Sequence, residues 1–146
     1  MSINTKNPTH RRILIAEDNR EMRNTILHLV ENDYEVVGTV GDGRALIDAA
    51  AELEPEIGVF DISMPIVNGI EAAIQIRKQG SQMKIVFLTV NEDTDFIDAA
   101  FDAGASGYVV KRQMASDLLT AIHEALQGRT FISSCCPLPD GYAPQN

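Results

Sequence analysis

The chain's 146 residues, 45% of them hydrophobic, suit one compact domain with a proper core and leave little room for a second. A formal net charge of −9 repels phosphate backbones and makes this segment on its own a poor candidate for nucleic-acid binding. No apolar run reaches the roughly 18 to 20 residues that span a bilayer, and no signal-peptide core is present, so a cytoplasmic location without membrane contact is expected.

Residues 1–11 read as a flexible N-terminal arm. Ile13 to Ala16 is a short apolar run that stops at Glu17-Asp18-Asn19, as a buried parallel strand does on meeting a loop. Met22, Ile26, Leu29 and Val30 then keep helical spacing behind Asn19 as N-cap. A second strand is expected over Glu35 to Val40. Gly41-Asp42-Gly43 lacks the third glycine of a dinucleotide loop and is expected to be a tight turn with Asp42 capping a helix that carries Leu46, Ala49, Ala50 and Leu53. Ile57 to Phe60 forms a third strand ending at Asp61. Read alone, the stretch that follows could be just a strand-ending turn, with Pro65 fixing the loop and Gly69 supplying a positive φ.

Ile70, Ala73 and Ile74 mark a third helix, ended by Gly80. Lys84 to Thr89 is a fourth strand, and Phe96, Ile97, Ala100 and Phe101 a fourth helix, ended by Gly104. Gly107 to Val110 is a fifth strand. The last helix carries Leu118, Leu119, Ile122, Ala125 and Leu126, with Ser116 as the expected N-cap and Gly128 as its end. Residues 12–134 thus form the domain, and residues 135–146, with Pro137, Pro139 and Pro144, a tail or truncated linker. The adjacent Cys135 and Cys136 suit neither a disulfide framework nor a cysteine metal site and are expected to be free thiols. His28 and His123 lie on helices without a paired ligand, which favours surface or packing roles.

Regular alternation of strands and helices implies a doubly wound α/β domain, (βα)₅, with five parallel strands and helices on both faces of the sheet. In such a fold ligand chemistry belongs at the C-terminal strand ends. Those ends present Glu17, Asp18, Asp61, Thr89 and Lys111. Carboxylates about 5 Å apart repel by roughly 3 kcal/mol per pair at an effective dielectric near 20. A hard divalent cation such as Mg²⁺ relieves this, and Lys111 supplies a fixed positive charge. The set suits phosphoryl transfer with Asp61 as nucleophile, while Thr89 and Lys111 hold the transferred group.

Glu17-Asp18, Asp61-Ile62-Ser63-Met64-Pro65 with Asn68-Gly69, Leu88-Thr89 and Gly107-Tyr108-Val109-Val110-Lys111 resemble the receiver domains of bacterial two-component response regulators. The resemblance implies a flavodoxin-like sheet of strand order 2-1-3-4-5. It also implies Mg²⁺ held by Glu17, Asp18, Asp61 and the Ser63 carbonyl, with Asp61 phosphorylated by a sensor histidine kinase. Thr89 and Lys111 would contact the phosphoryl group. Tyr108 would be an aromatic switch that turns inward as Thr89 moves, reshaping an output face of the fourth helix, fifth strand and fifth helix.

Gly104-Ala105-Ser106-Gly107-Tyr108, Ala121-Ile122 and Gly128-Arg129-Thr130-Phe131-Ile132-Ser133 are most similar to receivers of helix-turn-helix regulators of the LuxR and NarL type. Composition does not separate a stand-alone regulator from a segment cut in its linker; the resemblance favours the cut, which implies control of transcription through a DNA-binding domain absent from this chain, and leaves a homodimer open. Two departures stand out. Arg112 follows Lys111 where many receivers have a cis proline, so a trans bond is expected. Val90 after Thr89 is bulkier than the small residue common there, which is expected to narrow access to the phosphoryl group.

Separately, Glu17-Asp18 could be a helix-dipole pair and Asp61 a turn residue. Tyr108 could be a packing residue with a wet hydroxyl. The joint placement of acids, threonine and lysine favours a signalling switch that catalyses its own phosphorylation and dephosphorylation over an enzyme. A phosphohydrolase of the haloacid-dehalogenase kind needs an acid two residues after the nucleophile, where this chain has Ser63. A phosphorylation-independent interaction domain would not need the intact acid set.

Overall fold

A computed structural model describes residues 10–134. The arm is therefore largely, and the cysteine-bearing tail wholly, outside the described residues. Strands β1 (Arg12–Ala16), β2 (Glu35–Val40), β3 (Ile57–Asp61), β4 (Lys84–Thr89) and β5 (Gly107–Val110) alternate with helices α1 (Arg20–Val30), α2 (Gly43–Leu53), α3 (Gly69–Lys78), α4 (Thr94–Asp102) and α5 (Met114–Leu126). All strand pairs are parallel, in the order β2-β1-β3-β4-β5 with a sixth strand, β6 (Phe131–Ile132), beyond β5. The doubly wound α/β fold is the one the sequence implies, with one strand more.

Period-two alternation along β1, β3, β4 and β5 divides the core into two layers. Ile13, Ile15, Val59, Val86, Leu88 and Val109 pack against α1 and α5 through Ile26, Val30, Leu118 and Ile122. Leu14, Phe60, Ile85, Phe87 and Tyr108 face α2, α3 and α4 through Leu46, Ile76 and Ile97. Phe60 and Phe87 meet edge to face with centroids 6.0 Å apart. Strands β1, β3, β4 and β5 are buried on both sides, which is why they read as short apolar runs bounded by turn residues, whereas the edge strand β2 is only half-buried.

Asn19, Asp42 and Asn68 accept hydrogen bonds from the amides of Met22, Ala45 and Glu71, capping α1, α2 and α3. Gly80, Gly104 and Gly128 have φ of 89°, 100° and 82°, the left-handed conformation expected past a helix end.

Three expectations need correction. Helix α5 begins at Met114 because a single 3-10 turn over Lys111–Gln113 runs straight into it, so Ser116 lies in the first turn and is not the cap. Its hydroxyl donates to the Gln113 carbonyl instead. Gly69 is not the positive-φ residue of the β3–α3 loop; that residue is Ile66, at φ 74°. Gly69 is required for space, since a Cβ there would lie 2.3 Å from the Asp61 carbonyl oxygen. The third correction is β6, which pairs Phe131 with Gly107 and Ile132 with Tyr108 and covers the edge of β5. No described peptide bond is cis, so Lys111-Arg112 is trans as expected.

Candidate functional site

The three acids arrive from two neighbouring central strands. Glu17 and Asp18 follow β1 directly, and Asp61 ends β3, which pairs with β1 in register from Ile13 with Ile57 to Ala16 with Phe60. One carboxylate oxygen from each of Glu17, Asp18 and Asp61 lies within 4.8 Å of the others. Glu17 and Asp61 are buried and Asp18 is exposed, so the cluster opens to solvent on one side. Lys111, just past β5, brings its ammonium to 3.0 Å from Glu17 Oε1 and 3.4 Å from Asp61 Oδ2. The Lys111 ammonium thus meets two of the three clustered carboxylates.

That imbalance acts on Asp61. Burial, and then the neighbouring Glu17 charge, push its carboxyl up to about 7, against the opposing pull of Lys111 and of the Ser63 amide. The Ser63 amide donates to Asp61 Oδ1 at 3.1 Å, fixing the side chain from the loop that follows it. Glu17 Oε2 accepts the Asn19 amide at 3.1 Å, whereas Oε1 is buried with no aligned hydrogen bond, its contact with Lys111 being ionic only. A buried carboxylate oxygen that meets an ammonium without an aligned hydrogen bond, beside two further carboxylates, fits a hard divalent cation such as Mg²⁺.

Thr89 stands at the end of β4, buried, with its hydroxyl accepting the Asn91 amide at 3.1 Å. Tyr108 lies in β5 with its ring fully buried and its hydroxyl donating to the Asn91 carbonyl at 2.9 Å, so the ring already lies inward here rather than turned out as an inward-turning switch requires. The Asn91 backbone therefore joins Thr89 to Tyr108. Sequence reasoning missed this residue because its part is played by the main chain. Val90, between Thr89 and Asn91, is 71% exposed.

Of the residues singled out in the sequence, Glu17, Asp18, Asp61 and Lys111 meet directly, Ser63 touches Asp61, and Thr89 and Tyr108 meet through Asn91. Ser133, quoted in the sequence only as the end of the Gly128–Ser133 stretch, and Asp117 were given no role there; the two hydrogen-bond to one another.

Residues 13–123 match the family model of the response regulator receiver domain. The chain belongs to that family. This receiver is 38% identical over 117 residues to the transcriptional regulatory protein PdtaR of Mycobacterium tuberculosis, covering 80% of this chain and 57% of that protein. It is 31% identical over 123 residues to the nitrate/nitrite response regulator protein NarL of Escherichia coli K12, covering 83% of this chain and 57% of NarL. A LuxR-family two-component response regulator from Aurantimonas sp. SI85-9A1 superposes with a TM-score of 0.83 at 32% identity, covering 87% and 92% of the two chains. The receiver spans a little over half the length of these curated relatives. Receivers of this family are signalling switches, and no described helix is long and apolar enough to cross a membrane.

Proposed function

We propose that this receiver accepts a phosphoryl group on Asp61 from a sensor histidine kinase, with Mg²⁺, and that the modification governs transcription through a DNA-binding domain. The observation that carries the reading is the acid cluster itself: Glu17, Asp18 and Asp61 within 4.8 Å, with Lys111 the ammonium set against two of them. The domain proper would run over residues 12–134, with an N-terminal arm before it and a tail or truncated linker after it.

Bound Mg²⁺, held by Glu17, Asp18, Asp61 and the Ser63 carbonyl, would neutralise charge as two anions approach. Asp61 is the nucleophile: a carboxylate oxygen forms a bond to phosphorus as the donor's bond to phosphorus breaks and the donor atom leaves with its electron pair. The Ser63 amide keeps the carboxylate oriented, and the Lys111 ammonium follows the charge onto the transferred oxygens. Thr89 donates its hydroxyl to the same group, which draws on the Asn91 amide that this hydroxyl otherwise accepts. The Asn91 carbonyl holds Tyr108, so the displacement reaches the ring that packs beneath α4. The output face would be α4, β5 and α5. The receiver catalyses its own modification in this scheme and turns over no separate substrate.

Incubation with a small acyl phosphate and Mg²⁺, followed by intact mass, tests the reading. Wild type is expected to gain one phosphoryl group only with Mg²⁺, and Asp61→Asn none. A wild-type chain that no acyl phosphate or candidate kinase labels would leave the cluster as a structural feature and overturn the proposal.

A further inference from the structure

Ser133 is 1% exposed and sits where the chain leaves β6. Its amide donates to the Tyr108 carbonyl at 3.0 Å, continuing the ladder. Its hydroxyl then takes over from the backbone, accepting the Val110 amide at 3.1 Å and donating to Asp117 Oδ2 at 2.8 Å. The other oxygen of Asp117 lies 3.0 Å from the Ser116 hydroxyl and competes with the Gln113 carbonyl for its one proton. Val110 and Asp117 are the two ends of the segment that delivers Lys111 to the acid cluster, Val110 being the residue before it and Asp117 lying in the first turn of α5. One buried hydroxyl therefore ties both ends of that segment together.

We infer that Ser133 is a positioning residue for Lys111. With the hydroxyl in place, the separation between the end of β5 and the first turn of α5 is fixed, and the ammonium is held 3.0 Å from Glu17 and 3.4 Å from Asp61. Without it, the Val110 amide and the Asp117 carboxylate seek other partners and the connection between them relaxes. The inference rests on the reading of Asp61 as a phosphoryl acceptor, for which the position of Lys111 matters most as charge moves onto the transferred group. A purely structural Ser133 would affect stability alone.

The two roles separate in the kinetics of labelling with acetyl phosphate and Mg²⁺. Ser133→Ala is expected to lower the maximal rate about tenfold, since small misplacements of a charged group in a transition state are costly. The Mg²⁺ concentration for half-maximal rate should stay unchanged, because none of its proposed ligands is touched. Ser133→Thr, which keeps the hydroxyl, should recover most of the rate. In a Lys111→Ala background Ser133→Ala should have no further effect, because the two changes act through one group.

Wild-type rate in Ser133→Ala, or an equal slowing in the Lys111→Ala background, overturns the inference. Should Ser133→Ala fail to fold, Asp117→Ala releases the α5 end alone, and an unaltered maximal rate there overturns it equally. A wild-type chain that gains no phosphoryl group overturns the acceptor reading and this inference with it. A labelled wild type with an unimpaired Ser133→Ala overturns this inference alone.

Discussion

The two edges of the sheet handle charge in opposite ways. At the N-terminal edge Arg11 meets Glu56 at 2.8 Å with both side chains nearly half exposed, and the Arg12 amide donates to the same carboxylate at 3.2 Å. A cleft of 580 Å³ opens there, lined by Arg11, Glu54, Glu56 and Lys84 among others. At the C-terminal edge Glu17 and Asp61 are buried side by side and share one ammonium. The first edge offers the room and the second the chemistry. Opposite charges paired in water are what folding tolerates at little cost, whereas like charges gathered out of water persist only where a cation or a reaction uses them.

The sharpest way to break the contrast is Asp61→Asn. Beyond abolishing labelling, it removes the member of the cluster whose proton affinity is raised. The metal-free variant is therefore expected to melt higher than wild type at about pH 8, by roughly 3 to 8 °C for one or two kcal/mol of relieved repulsion. Scanning calorimetry in a chelating buffer checks this. Glu56→Gln at the other edge should leave labelling at the wild-type level, and a loss of labelling there would erase the distinction between the edges.

Thr89→Ala comes next in size. The variant should still be labelled, since Asp61, Lys111 and the acids are intact, but modification should no longer reach Tyr108. The Tyr108 ring resonances by NMR, compared before and after labelling, report it directly. A full response of the ring without the Thr89 hydroxyl would remove Thr89 from the path through Asn91. The lost hydroxyl also leaves the Asn91 amide without its partner, which costs on the order of 1 kcal/mol in stability.

The difference between the edges was legible to different depths in the sequence. The strands carrying Glu17, Asp61, Thr89 and Lys111 were plain because each is an apolar run, buried on both faces, that ends in a polar residue of distinctive type. β6 was not, because two residues have no periodicity and its existence depends on the open edge of β5. Ser133 and Asn91 escaped for a related reason. A serine hydroxyl replacing a ladder carbonyl, and a main-chain amide and carbonyl joining two side chains, are products of tertiary placement and leave no mark in residue type. The β3–α3 loop shows the reverse, an apparent mark misread. Gly69 suggested a positive φ, yet the left-handed residue is Ile66, and glycine is needed because α3 starts against the Asp61 carbonyl.

The pH dependence of the metal-free protein sharpens the comparison further. Asp61 is raised from 3.8 to about 7 in the folded state, so the folded chain holds this proton more tightly than the unfolded chain does. Its contribution to stability is therefore whole below about pH 4 and is lost as pH rises through about 7. Mg²⁺ competes with that proton, so its stabilising effect should grow from about pH 5 to about pH 8. Thermal melts with and without Mg²⁺ across that window test it, and an increment independent of pH would remove Asp61 from the set of ligands. In Asp61→Asn this pH dependence of the increment should largely vanish.

The smallest effect belongs to the N-terminal edge, and its smallness is the point. A double-mutant cycle on Arg11 and Glu56 should return a coupling of about 1 kcal/mol or less, because both side chains remain in water and give up side-chain entropy to meet. Raising the salt concentration should reduce that coupling further. The same cycle on Lys111 and Glu17 probes a contact in which Glu17 is fully buried and Lys111 only 15% exposed, so salt should reach it far less. Equal couplings with equal salt sensitivity would mean that burial makes no difference to these charges, and that the acid cluster is an ordinary surface feature.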